Sequence, residues 1–190
     1  MSARTNPPGA KRLGMWLFVV SDLLTFATLL VVYTALRLAT PDWPHPFTLS
    51  PAILYATGMT IVLLGSSLTM VWAVSAMEAH NRPRTVRWLL ATIAGGTAFI
   101  VLHLAEWRHL LQVDHITPAA SLFGAVFYAV TGLHMLHVAA GIVYLAVLTG
   151  GVARGRFTAE DVETGGLYWH FVDLVWMFVF PLIYLMAVRP

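Results

Sequence analysis

The sequence predicts an all-α fold: a polytopic membrane bundle of five transmembrane helices. The composition is the first reason. Of the 190 residues, 58% are hydrophobic and 11% are charged, whereas a soluble domain has about 45–50% apolar and about 25% charged residues. So little charge cannot solvate a protein surface, so the bilayer must be the solvent for most of the chain. The second reason is length. The apolar residues fall in five runs, each long enough to supply the roughly 20 residues that cross about 30 Å of hydrocarbon. The third is pattern. The runs are continuous rather than alternating, and backbone groups left unpaired in lipid are too costly, which leaves helices.

The expected spans are 13–36, 52–77, 88–110, 122–149 and 168–188, preceded by a tail at 1–12 and forming one domain over 13–190. Arg4, Lys11 and Arg12 precede the first run as in a signal peptide. That run far exceeds a signal core of ~7–15 residues and no A-x-A-like cleavage site follows, so it reads as a retained span. The segment from Thr40 to Pro46 is proline-rich and cannot continue a helix. Asn81-Arg82-Pro83-Arg84 reads as a polar turn, Gly150-Gly151 and Gly165-Gly166 bracket a charged loop, and Thr117-Pro118 opens the fourth helix. No internal repeat is visible.

Orientation follows from the basic residues. With the N-terminus in the cytoplasm, that side holds Arg4, Lys11, Arg12, Arg82, Arg84, Arg87, Arg154 and Arg156. The outer side holds only Arg37, Arg108 and Arg189. The bias predicts N-inside and C-outside. Trp16, Trp43, Trp88, Trp107 and Trp169 lie near span ends, as interfacial aromatics would. The formal charge of +2 is spread over loops, so nucleic acid is not an expected partner. The chain has no cysteine, which excludes thiol chemistry and cysteine-ligated metals.

Ionisable groups within spans cost about 2.5–3.5 kcal/mol at the bilayer centre and therefore face the bundle interior. Here they are Asp22, His103 with Glu106, His134 with His137, and His170 with Asp173. Each pair is spaced i, i+3, on one face of its helix. At ~1.5 Å per residue from the cytoplasmic end, Asp173 sits at roughly 9 Å, Asp22 at ~14 Å and His137 at ~16 Å. His134 and His103 share a level at ~21–22 Å, with Glu106 farther out. Three roles compete: hydrogen-bonding glue between helices, a metal or haem site built from His-x-x-Glu beside His-x-x-His, and proton or lipid-headgroup handling. Asp22 and Asp173 suit the last. Gly58, Gly65, Ser66, Ser67, Gly95, Gly96, Gly132, Ala139, Ala140 and Gly141 are small enough for close helix approach.

Three stretches carry a resemblance: Gly14 through Phe18 with Ser21-Asp22, Gly132 through Val138 with Gly141, and Tyr168 through Asp173 with Val175-Trp176. Ser66 through Thr69 and Glu106-Trp107 add weaker echoes. Together they resemble, in order and placement, the subunit III family of the haem–copper respiratory oxidases in a short five-helix form. The resemblance implies a non-catalytic subunit with no metal or haem of its own. Haem and copper are expected in subunit I, the main contact, with subunit II and other respiratory subunits as further partners. It implies support of subunit I by stabilisation, by phospholipid binding and at proton uptake. Asp22, Asp173, Arg154 and Arg156 are the candidate lipid- or proton-linked residues; His103, Glu106, His134, His137 and His170 become intramembrane polar packing. Two departures stand out. Long members have seven spans, of which this chain matches the last five, and the family commonly has Glu where this chain has Asp22. The expected location is the cell (inner) membrane of a prokaryote. The alternative is the subunit-III-like protein associated with nitric oxide reductase. A small transporter would show broken helices or inverted repeats, and neither is visible; a stand-alone metalloenzyme is the remaining option.

Overall fold

A computed structural model describes residues 9–188. Arg4 and Arg189, used above for orientation, lie outside the described residues, as does most of the tail at 1–12. Five long helices form: α1 (Ala10–Ala39), α2 (Leu54–Glu78), α3 (Arg82–Gln112), α4 (Leu122–Ala153) and α5 (Ala159–Val179). All five are long and apolar enough to cross a membrane. No strand is present among the described residues beyond one isolated bridge, Phe47 to Val188.

The helix ends correct several sequence expectations. α5 begins nine residues before the expected span, because Thr158 starts it: the Thr158 backbone N–H donates to Asp161 Oδ2 at 2.8 Å, one arm of a capping box. Gly165 and Gly166 therefore lie inside α5, where Leu148, Val74 and Met70 side chains pack over them. Gly150 and Gly151 likewise lie inside α4. The residue that stops α4 is Gly155, left-handed at φ 69°. Its N–H donates to the Val152 carbonyl at 3.0 Å and Arg156 N–H to Gly151 at 2.9 Å, a Schellman closure. α2 ends the same way with His80 at φ 56°, His80 N–H on Met77 and Asn81 N–H on Ala76. The polar turn at 81–84 is thus mostly helix: Asn81 caps α3 by accepting from Arg84 N–H at 3.1 Å, with Pro83 in the first turn. Thr117-Pro118 does not open α4; Ser121 does, its hydroxyl accepting from Gly124 N–H at 3.0 Å.

α5 is the centre of the bundle, touching α1, α2 and α4, while α2 and α3 pack along each other. In its most apolar stretch half of α5 is buried, against 11% of α1. The buried residues of α1 are Val19, Phe26 and Tyr33, seven apart, so α1 touches the bundle along one seam. Two ion pairs fix the register of α1 on α5: Lys11 Nζ to Asp161 Oδ1 at 2.6 Å, and Arg12 to Glu163. At the opposite end Tyr33, Trp43, Phe47, Phe123, Phe127 and Tyr184 interlock, with Phe47 stacked on Tyr184 at 4.9 Å. α5 widens there into a π turn at Phe180–Tyr184, where Pro181 lacks the N–H the α ladder needs.

Small residues do what was expected at some positions only. A Cβ on Gly95 would stand 2.7 Å from Ser66 Cβ, and on Gly96 2.4 Å from Trp169. At Gly58 and Gly65, seven apart on the exposed side of α2, it would meet nothing within 4 Å. Two tryptophans also depart from the interfacial reading. Trp43 and Trp169 are buried among aromatic side chains and glycines, Trp169 because the early start of α5 carries it well inside the helix.

Candidate functional site: polar nodes inside the bundle

The interior polar residues gather into three nodes. The first joins α1, α4 and α5. Asp22 Oδ2 stands 3.0 Å from His137 Nε2. The other ring nitrogen, Nδ1, is 2.8 Å from the Leu133 carbonyl, one turn back on α4. A carbonyl only accepts, so Nδ1 must carry a hydrogen. Nε2 then faces the Asp22 carboxyl oxygen. Tyr168 OH donates to the His137 carbonyl at 3.0 Å and closes the node from α5.

The second node lies deeper, among α3, α4 and α5. His103 and His134 are fully buried, and neither ring nitrogen of either residue has a hydrogen-bond partner. Both flank Trp176: His134 stacks on it at 5.0 Å and His103 meets its edge at 5.4 Å. The shared level read from the sequence is therefore real, and an indole fills the space between the two rings. His103 Nδ1 stands 3.7 Å from Glu106 Oε2, which accepts from Tyr184 OH at 2.7 Å. A cleft of about 410 Å³, walled by Phe47, Pro51, Ala52, Tyr55 and Leu110, opens beside Glu106. No group of three or more His, Asp or Glu side chains that could hold a metal ion occurs among the described residues. His134 and His137, although i, i+3, serve different nodes because three residues turn the helix by 300° rather than a full circle.

The third node is a seam between α5 and α2. Trp169 Nε1 donates to Ser66 Oγ at 3.1 Å, His170 Nδ1 meets Ser67 Oγ at 3.1 Å, and Trp176 Nε1 donates to Thr60 Oγ1 at 2.9 Å. Asp173 is buried one turn along from His170, with one carboxyl oxygen, Oδ1, unpartnered. Asp22 and Asp173 each stand ten residues beyond the Arg12–Glu163 pair on parallel helices, so they share one level. The sequence count had set them about 5 Å apart in depth; it erred because it began α5 at residue 168.

Of the arginines singled out, Arg154 folds back over Gly150 while Arg156 faces a cavity with Arg82. Sequence reasoning missed Tyr184, Tyr168, Thr60 and Arg82. A signal for Thr60 existed: Thr60 and Ser66 on α2 are six apart, close to the seven that separate their partners Trp176 and Trp169 on α5.

Fold and nodes together define a class: a polytopic helical membrane protein whose interior polar groups knit its helices together. The comparisons narrow it. Residues 8–188 match the family described as cytochrome c oxidase subunit III. The chain is 36% identical to cytochrome c oxidase subunit 3 of Alkalihalophilus pseudofirmus, over 94% of this chain and 87% of that protein. It is 35% identical to the Bacillus subtilis subunit 3, over 93% and 86%. It is 31% identical to cytochrome bo(3) ubiquinol oxidase subunit 3 of Pseudomonas aeruginosa, over 92% and 84%. The chain belongs to the cytochrome c oxidase subunit III family. The chain thus covers most of the length of each of these relatives.

Proposed function

We propose that the chain is the third, non-catalytic subunit of a haem–copper terminal oxidase in the cell (inner) membrane of a prokaryote. It packs beside subunit I, with subunit II and other respiratory subunits as further neighbours. Haem and copper reside in that partner, and this chain carries no redox centre of its own. Its work is to stabilise subunit I, to hold phospholipid and to support proton uptake, with Asp22, Asp173, Arg154 and Arg156 as the residues concerned. The family match across nearly the whole chain carries this reading. The exposed side of α1 supports it: a helix that buries one seam leaves Leu17, Leu24 and Val31 for lipid or a partner. Ser21, Thr25 and Thr28 on α1 are exposed and bond their hydroxyls to their own helix carbonyls, so they need no water there.

Purification in mild detergent should recover the chain with a haem-containing polytopic partner. Recovery from native membranes as a single monodisperse chain, with no haem absorbance, would overturn the proposal.

The N-inside, C-outside orientation goes with this reading, on the arginine asymmetry. A periplasmic-active reporter fused after Pro190 should be active and a cytoplasmic-active one silent. The reverse pattern would invert the topology and move Asp22 to the outer half.

A further inference from the structure

The ends of α2 and α4 close in matching Schellman turns, with His80 and Gly155 in the left-handed region. Each turn delivers an arginine to the same place. Arg82 follows the first turn and Arg156 the second, and both line one cavity of about 520 Å³. Arg82 lies across the second turn: a Cβ on Gly155 would stand 2.8 Å from its Nη1. The guanidinium of one turn thus rests on the backbone next to the arginine of the other. No carboxylate lines the cavity. On α5, Asp161 pairs with Lys11 and Glu163 with Arg12; Glu160, and Glu78 at the end of α2, adjoin lining residues in sequence but do not line the cavity. Neither Arg82 nor Arg156 makes an ion pair or side-chain hydrogen bond among the described residues. His80 adds a further nitrogen donor, and Met77, Pro83 and Phe157 form an apolar wall.

Two like charges gathered in one concavity repel unless an anion sits between them. The guanidinium fork matches phosphate oxygens two at a time. We propose that this cavity is a phosphate-ester site, with Arg82 and Arg156 as paired ligands and His80 as a third donor. Arg154 is not part of it, because its guanidinium lies back along α4 over Gly150. Two sources offer this chemistry, an anionic phospholipid headgroup and a free phosphate. The site deepens the lipid-binding part of the proposed function. Binding is read on the chain itself, so failure here leaves association with an oxidase standing, and failure of that association leaves this site standing.

The full chain, delipidated in neutral detergent, is titrated with dioleoyl phosphatidylglycerol and separately with inorganic phosphate, and bound species are counted by native mass spectrometry. One phosphatidylglycerol should be retained per chain. Arg82→Ala and Arg156→Ala should each weaken retention about tenfold, one charge-assisted contact apiece, while Arg87→Ala, on the same basic face but outside the cavity lining, leaves it unchanged. Arg82→Lys, which keeps the charge and loses the fork, should fall between. Displacement of the lipid by millimolar inorganic phosphate identifies a free-phosphate site; resistance identifies a headgroup site. Two results would overturn the proposal. One is an unaltered chain that retains neither probe. The other is equal loss from Arg82→Ala, Arg156→Ala and Arg87→Ala, which means diffuse attraction to a basic face.

Discussion

Trp176→Ala should be the most damaging single truncation in the chain, lowering stability by about 3 kcal/mol. Trp176 is fully buried and donates to Thr60 at 2.9 Å. It also packs against Phe99, His103, His134 and Tyr184. In a bilayer the hydrophobic transfer term between helices is small, because lipid tails are as apolar as the core. What is lost is dispersion contact across the space the indole fills, together with the partner of the Thr60 hydroxyl. His103 and His134, already without hydrogen bonds, would face each other across the gap. The check is the thermal midpoint of the purified chain in detergent, read by loss of the monodisperse peak. Trp176→Phe should recover part of the loss. Trp16→Ala is the control: Trp16 is half exposed, and an exposed change belongs within about ±0.5 kcal/mol. Equal midpoints for Trp176→Ala and Trp16→Ala would remove Trp176 from the centre of the fold.

The Asp22–His137 pair gives the second large effect, and its signature is non-additivity. Removing one partner of a buried ion pair strands the other, at a cost of about 3 kcal/mol. Asp22→Leu and His137→Leu should each show it, because 3.0 Å separates the two groups and each is only 15% exposed. The double variant strands nothing and should return to within about 1 kcal/mol of the unaltered chain. Asp22→Asn should be milder than Asp22→Leu, since the amide N–H can donate to Nε2. A double variant whose loss equals the sum of the singles would mean the two side chains do not interact. If the pair supports proton delivery in the assembled oxidase, Asp22→Asn should leave assembly intact and shorten working lifetime. Unchanged turnover and lifetime would confine the pair to packing.

The sequence carried the helix count because a bilayer leaves the backbone few choices and apolar length is a one-dimensional property. It also picked out the interior polar residues, since any ionisable group in such a run must find an inward face. The ends were less legible. A glycine pair reads as a break when viewed alone, yet Gly165 and Gly166 sit in mid-helix with Leu148, Val74 and Met70 against them. The Thr158-x-x-Asp161 signature was present and would have set the start of α5 correctly. That one boundary accounts for two errors, the depth of Asp173 and the placement of Trp169.

What the sequence alone determined was the membrane as solvent, five helices, the family and the acids and imidazoles inside. What only the tertiary structure decided was pairing. Asp22 belongs with His137, Glu106 with Tyr184, Arg156 with Arg82, and His103 and His134 with the indole between them. Periodicity places a residue on a helix face but does not say which neighbour that face meets. That choice depends on helix rotation and register, which the α1–α5 ion pairs and the small-residue contacts at Gly95, Gly96 and Gly141 set in three dimensions.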